Sequence, residues 1–305
     1  PACRVCASPD FHPGDSGIAI GSVIETEDMV IPSAVGTDIN CGMRLHLADI
    51  SVDTFLSIRA SFVERMKGDY FLGTRDMTAS TEAMQAMFTG GLPAWILAHQ
   101  EKSYGCMARA DLSQLEKELD RVYLQGGLLG NARWAPEDLV PETGLVRDGG
   151  LGTIGGGNHF VEVQWVEEVL DRAQAWVWGV RPGQLAFMVH SGSRNVGKHI
   201  GGFWKDQAIA AWPKEKRYPA SRIFPISTQS DPELVEQYLQ AEATATNYGF
   251  VNRMLLSEML RHCLRDLLGD VEASLLYDLP HNITLKENDR WVARKGACPA
   301  HAGQP

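Results

Sequence analysis

The chain has 305 residues, 44% hydrophobic and 22% charged, with a formal net charge of −10. That composition belongs to a globular protein with a sizeable core, and the acidic balance argues against a broadly basic nucleic-acid-binding domain. Six cysteines are too sparse for a disulfide framework, no apolar run is long enough to span a bilayer and no charged-then-apolar leader opens the chain, so the cytoplasm is the expected compartment.

From the start of the chain, Cys3-Arg-Val-Cys6 has a redox or zinc spacing, but it lies in an apolar stretch that reads better as a strand. Ile18–Ile24 and Met29–Pro32 read as short strands between Gly, Pro and Asp punctuation. Ser51 is placed to cap a helix over about 53–67, with Phe55, Ile58, Phe62 and Met66 at helical spacing. A second helix is expected over about 112–124, on Leu112, Leu115, Leu119 and Val122. Strand patterns return at Phe160–Trp165, Leu185–Val189 and Ser274–Tyr277. The longest helical pattern, about 232–268, has a stripe running from Leu234 through Tyr238, Tyr248 and Leu255 to Leu267, expected to face the core. Strands with helices inserted in blocks predict an α+β (mixed α/β) fold.

Three glycine-framed segments carry the chemistry. In Gly36-Thr-Asp38-Ile-Asn-Cys41-Gly42, a tight turn aims Asp38 and Cys41 at one point, and a coordinated Cys41 would be a thiolate able to bridge two ions. Taken alone, a buried cysteine beside a turn aspartate explains this segment more simply. Gly155-Gly-Gly-Asn158-His159 feeds into the Phe160 strand, so bare amides can face a phosphate while His159 is held at the strand entrance. His190-Ser-Gly-Ser-Arg194 follows the Leu185–Val189 strand, with His190 at its carboxyl end and Arg194 offering a planar fork for a phosphate. A surface arginine in a turn explains that segment equally well. His281, after the Ser274–Tyr277 strand, completes the set, although a satisfied histidine at a strand end is the commoner situation. One carboxylate, one thiolate and three imidazoles outnumber the ligands of one ordinary ion and suit a pair sharing the sulfur, which implies chemistry on a phosphate-type substrate. Gly150-Leu-Gly152-Thr-Ile-Gly155 fits the dinucleotide-binding glycine pattern, but a polar stretch precedes it and a strand follows, so it is rejected. His12, beside Asp10 in a turn signature, is intermediate; His46, His99, His199, His262 and His301 have no comparable frame.

Five blocks appear in order: Pro9-Asp10-Phe-His12-Pro-Gly14, Val35-Gly-Thr-Asp38-Ile-Asn-Cys41-Gly-Met43, Leu151-Gly-Thr-Ile-Gly-Gly-Gly-Asn158-His159-Phe-Val-Glu162, His190-Ser-Gly-Ser-Arg194 and Arg294-Lys295-Gly-Ala297. Together they resemble the RtcB-type RNA ligases, over essentially the whole chain from Pro9 to Gln304. The resemblance implies GTP-dependent joining of RNA 3′-phosphate or 2′,3′-cyclic phosphate ends to 5′-hydroxyl ends, with two Mn2+ ions, on a mixed α/β body with a β-sandwich-like core. It implies metal ligation by Asp38, Cys41, His159, His190 and His281, with Cys41 bridging. It further implies guanine-nucleotide contacts at Asn158 and Glu162, cations near the RNA phosphate at Arg194 and Lys295, and an acid bordering the site at Asp10.

Manganese comes from the resemblance; by ligand type zinc or iron competes, because thiolate and imidazole are softer than manganese prefers. The expected partners are RNA ends (tRNA halves or broken RNA) and GTP, with room for an activating protein and none for a membrane. The family pattern continues beyond residue 305, where its nucleotide-accepting histidine lies, and His301 does not match that segment. Residues 1–305 are therefore expected to be one catalytic domain lacking the family's start and C-terminal segment, or a molecule that keeps the metal site without self-guanylylation. A metal-dependent phosphoesterase and a non-catalytic RNA-end binder are the competing functions.

Overall fold

The computed structural model describes residues 2–14 and 16–301, with the side chains of residues 2 and 3 left aside. The chain opens with β1 (Ala2–His12), β2 (Ile20–Thr26), β3 (Met29–Val30) and the short helix α1 (Pro32–Val35). Then come β4 (Gly42–Ser51), α2 (Val52–Phe71), β5 (Thr78–Ser80), α3 (Thr81–Glu101), α4 (Leu112–Glu118), β6 (Leu145–Arg147) and β7 (Phe160–Trp165). The remainder is α5 (Arg172–Trp178), β8 (Gln184–Ser191), α6 (Arg194–Ala210), β9 (Ile226–Ser227), α7 (Pro232–Leu268), β10 (Ala273–Pro280), β11 (Asn282–Glu287) and β12 (Arg290–Lys295). The fold is α+β.

Two four-stranded antiparallel sheets, β1-β2-β12-β11 and β10-β4-β8-β7, make most of the β part, beside the two-stranded pairs β3-β9 and β5-β6. The chain passes from one to the other at His281, between β10 and β11. The Cys6 thiol is free and exposed on the edge strand β1; the Cys3 side chain, its partner in the spacing, lies outside the described residues, as does Gln304.

Ser51 caps α2, its hydroxyl accepting from the Thr54 amide at 3.1 Å, and Phe55, Phe62 and Met66 turn inward to the core that α2 shares with α7, β4 and β8. The pattern around 112–124 resolves into α4 followed by single turns of tighter helix rather than one helix. Most of the core is organised by α7, whose 37 residues run about 55 Å. From Ala241 to Leu264 it is buried on every side, so the apolar stripe understates its burial. Its polar groups serve the loops around it: Asn247 bonds the backbone of Phe88 and Leu128, and Thr244 bonds that of Asn131. The Gly150–Gly155 pattern lies in a loop that runs into β7, and no helix opens within it.

Candidate metal centre and phosphate cavity

Four adjacent strands deliver their ends to one side of the β10-β4-β8-β7 sheet. Cys41 immediately precedes β4, His281 follows β10, His190 is the last residue but one of β8, and His159 immediately precedes β7. Register aligns them: Gly42 sits opposite both Pro280 and Ser191, and His190 opposite both Met43 and Phe160. The His281 amide donates to the Cys41 carbonyl at 2.8 Å, and the Cys41 amide to the Asp38 carbonyl at 3.0 Å, which brings in the turn before β4.

All five ligand-type side chains meet. Cys41 Sγ lies 3.1 Å from His159 Nε2 and 3.0 Å from His190 Nε2. Asp38 Oδ2 is 2.9 Å from His159 Nε2, and His281 Nε2 is 3.2 Å from His190 Nε2. The sulfur is thus the junction of two groups, Asp38 with His159 on one side and His190 with His281 on the other.

Burial, reinforced by neighbouring imidazoles, holds His190 down to about 4 and His281 down to about 3, so both rings are neutral at neutral pH, as ligands must be. Burial raises the Asp38 carboxyl, but the hydrogen bond and charge of His159 outweigh it and the net shift is downward. Burial, then the Asp38 charge, pushes the Cys41 thiol well above its usual range. A coordinated thiol reverses that, because the ion's charge displaces the proton.

The donor set fits a cation. His159 Nδ1 lies 3.0 Å from the Ile154 carbonyl and 3.4 Å from Arg194 Nη1; in the tautomer that donates to the carbonyl, the Nε2 lone pair faces the Asp38 carboxylate and the Cys41 sulfur. Acceptors this close need positive charge between them, supplied by a second proton or by a metal ion. Carboxylate, thiolate and imidazole are all metal ligands, and Cys41, His159 and His190 present their ligand atoms within 4.8 Å of one another.

The buried face of α7 holds this frame. Arg253 binds Asp278 through Nε (2.9 Å) and Nη2 (2.8 Å), the carbonyls of Asn40 (2.6 Å) and Ser191 (3.0 Å) through Nη1, and Asn40 Oδ1 through Nη2 (3.1 Å). Those carbonyls belong to the residues adjoining Cys41 and His190. Asp278 also accepts from Arg44 at 3.1 Å, and further out Arg261 engages Glu118 and Glu258. Asn252, one position along α7, accepts from the Gly152 amide at 2.8 Å and donates to Ser191 Oγ at 3.0 Å and to the Gly192 carbonyl at 3.1 Å. It clasps the glycine-rich loop to the end of β8.

Above the cluster opens a cavity of about 650 Å³, with Asp10, Asn158, Arg194, Lys198 and Lys295 among its walls. Arg194 Nε donates to Thr153 Oγ1 at 3.1 Å, and no carboxylate pairs with its guanidinium among the described residues. Its backbone is left-handed (φ 53°), a strained conformation of the kind found at functional sites. Gly155 (φ 103°) yields to it: a Cβ there would lie 2.1 Å from Arg194 Nη1. Lys295 is buried, with Nζ donating to Ser16 Oγ. Asp10 stands at the rim, largely exposed, with His12 Nδ1 3.6 Å from its carboxylate. Asn158 is exposed in the cavity wall. Glu162 lies outside the lining, exposed on the edge strand β7, and accepts from Gln164 Nε2 at 2.8 Å. Opposite Met188 and two pairs along from Phe160–His190, it shares their face of the sheet.

Sequence reasoning missed Lys198, Arg253, Asn252 and Cys298, whose sulfur is 3.9 Å from His281 Nδ1. Only Lys198 carried a local signal, its place one turn beyond Arg194. The others are legible only once β10, β12 and α7 are packed together.

An α+β body carrying a thiol–imidazole–carboxylate cluster beneath a cavity walled by cations is suited to metal-assisted phosphate chemistry. The sequence profile of RtcB, "tRNA-splicing ligase RtcB", matches residues 2–305, and the chain belongs to that family. It is 29% identical to the "tRNA-splicing ligase RtcB" of Methanococcus maripaludis, over 98% of this chain and 63% of that protein. The protein of the same name from Archaeoglobus fulgidus is 29% identical over 96% of this chain and 61% of its own length. The "RNA-splicing ligase RtcB homolog 1" of Entamoeba histolytica is 28% identical over 97% of this chain and 55% of its own length. The chain therefore spans less than two thirds of the length of these relatives.

Proposed function

We propose that this chain is the metal-binding catalytic domain of a cytoplasmic, GTP- and Mn2+-dependent ligase. It joins RNA 3′-phosphate or 2′,3′-cyclic phosphate ends to 5′-hydroxyl ends, such as those of tRNA halves. The carrying observation is the contact of one cysteine sulfur with two imidazoles, Asp38 and His281 lying beyond them, on the floor of a cavity that gathers three cations. Family membership supports the RNA substrate, and one dominant hydrophobic core, drawing residues from Val30 to Leu275 beside two small satellite clusters, supports one catalytic domain. Among the described residues no helix is long and apolar enough to cross a membrane.

In this reading Asp38 and His159 would hold one ion, His190 and His281 the other, and Cys41 would serve both. The ions, when bound, polarise phosphoryl oxygens and neutralise their charge. Arg194 and Lys295 grip the RNA phosphate, and Arg194, anchored to Thr153 and pressed on Gly155, is preorganised for that task. Asn158 and Glu162 contact the guanine nucleotide, and Asp10 is an acid bordering the site. The family's nucleotide-accepting histidine displaces pyrophosphate from GTP and takes GMP. The RNA 3′-phosphate (a 2′,3′-cyclic end first being opened by water) then takes GMP from the histidine. The 5′-hydroxyl attacks that activated phosphorus, forming the 3′,5′-phosphodiester and expelling GMP.

The test is incubation of the full-length protein with labelled GTP, Mn2+ and the two RNA ends. The reading expects a covalent GMP adduct and a joined product. Phosphate release from 3′-phosphate RNA without GTP would replace it with a phosphoesterase, and RNA-end binding without turnover would replace it with a passive binder.

A further inference from the structure

The acidic charge of the chain is not evenly spread. Residues 194–222, α6 and the loop after it, contain Arg194, Lys198, Lys205, Lys214, Lys216, Arg217 and Arg222 against only Asp206 and Glu215. That is a net of +5 in a chain whose total is −10, so everything else sums to −15. Folding does not neutralise the segment. Its cations from Lys198 onward are exposed, and none has a carboxylate partner among the described residues.

The stretch is also directed. Arg194 and Lys198 are in the cavity wall, and at 100° per residue Arg194, Lys198 and Lys205 fall within about 40° of one face of α6, spread over about 16 Å of its axis. The loop carrying Lys214, Lys216 and Arg217 begins where α6 ends. It returns toward the starting side, Ile223 packing on the small core cluster that contains Ile18, Ile31 and Ala34, and β9 pairing with β3. Within that loop Tyr218 is 50% exposed, its ring held edge-to-face against Phe224 at 5.2 Å. A fixed, half-exposed aromatic among unpaired cations suits single-stranded nucleic acid, where phosphates meet the charges and a base stacks on the ring.

We propose that the α6 face and the 212–222 loop form a track for the single-stranded RNA whose end enters the cavity. The inference rests on the RNA-ligase reading and adds to it a partner surface that starts at the cavity wall and leads away from the metal ligands. Local positive charge on an acidic body also explains how the chain draws RNA to one face while repelling it elsewhere.

The test compares wild-type protein with a variant carrying Lys205→Gln, Lys214→Gln, Lys216→Gln and Arg217→Gln, all outside the cavity. Affinity is measured by anisotropy for a single-stranded 3′-phosphate dodecamer and a 3′-phosphate dinucleotide, across a salt series. The track predicts that the variant binds the dodecamer about 10- to 100-fold more weakly, with a salt slope shallower by about 2 to 3, while dinucleotide affinity is unchanged. Tyr218→Ala is expected to weaken dodecamer binding several-fold while leaving the salt slope intact. Unchanged dodecamer affinity in the fourfold variant overturns the track and leaves the ligase reading standing. An equal loss for both lengths overturns it too, since the effect then lies in the cavity. Competition by polyglutamate as effective as by RNA assigns the surface to an acidic protein instead. Wild-type protein that binds neither RNA refutes the track and the ligase reading together.

Discussion

Replacing Arg253 by leucine removes the single group that ties three ligand-bearing segments together. Its guanidinium is fully buried and satisfies the Asn40 and Ser191 carbonyls, Asn40 Oδ1 and one oxygen of Asp278. Leucine can pack in the space but offers no donor. Each orphaned acceptor costs about 1–3 kcal/mol, and breaking a buried ion pair about 3–5 kcal/mol, and these are not additive. Asp278 keeps Arg44 at 3.1 Å, so its charge is not wholly stranded and the loss stays within the ion-pair range rather than exceeding it. The expected loss is about 3–5 kcal/mol, read as a melting temperature about 5–8 °C lower for a chain of 305 residues. Metal affinity should fall as well, because the two carbonyls adjoin Cys41 and His190. Arg253→Lys, which keeps the charge but not the fork, should fall between. Thermal unfolding with metal titration decides it: a leucine variant melting within about 2 °C of wild type and binding metal normally would refute this view of the scaffold.

Gly155→Ala drives a methyl into the Arg194 guanidinium at a left-handed backbone position, so 3′-phosphate RNA affinity should drop at least about tenfold while the melting temperature changes by only a few degrees. Burial lowers His190 to about 4, His281 to about 3 and His46, further opposed by Arg261 and Arg44, well below its usual value. The unfolded chain therefore takes up more protons than the folded one below about pH 6.5, so metal-free stability is full above that pH and is lost as pH falls toward about 4. A urea midpoint measured in chelator that stays level from about pH 7 to about pH 5 would contradict this. Ser51→Ala deletes the α2 cap and should cost about 1 kcal/mol by denaturant unfolding, with metal content unchanged.

Where local chemistry decided the structure, the sequence was legible. β7 and α7 occupy the residues their patterns indicate, because strand alternation and helical period act over neighbouring positions. The three glycine-framed segments could be singled out since glycine beside a potential ligand is a local signature. α6 was hidden: Gly197, Gly201 and Gly202 weaken any helical reading, yet the first two are there because Thr37 and Gly36 approach too closely for a Cβ. α3 was hidden by Gly91, which leaves helical geometry at φ 68°, and by Pro93. The buried charges of Arg44, Arg253, Arg261, Glu118, Glu258 and Asp278 look like an ordinary solvated face along the chain. Only the packing of α4, α7, β4 and β10 pairs them off.

Metal stoichiometry bears most directly on the centre. Elemental analysis of the protein loaded with Mn2+, beside Cys41→Ala prepared identically, should find two ions per chain in the first and neither in the second. One ion per chain, or a Cys41→Ala protein that retains its full complement, would contradict the sharing of that sulfur.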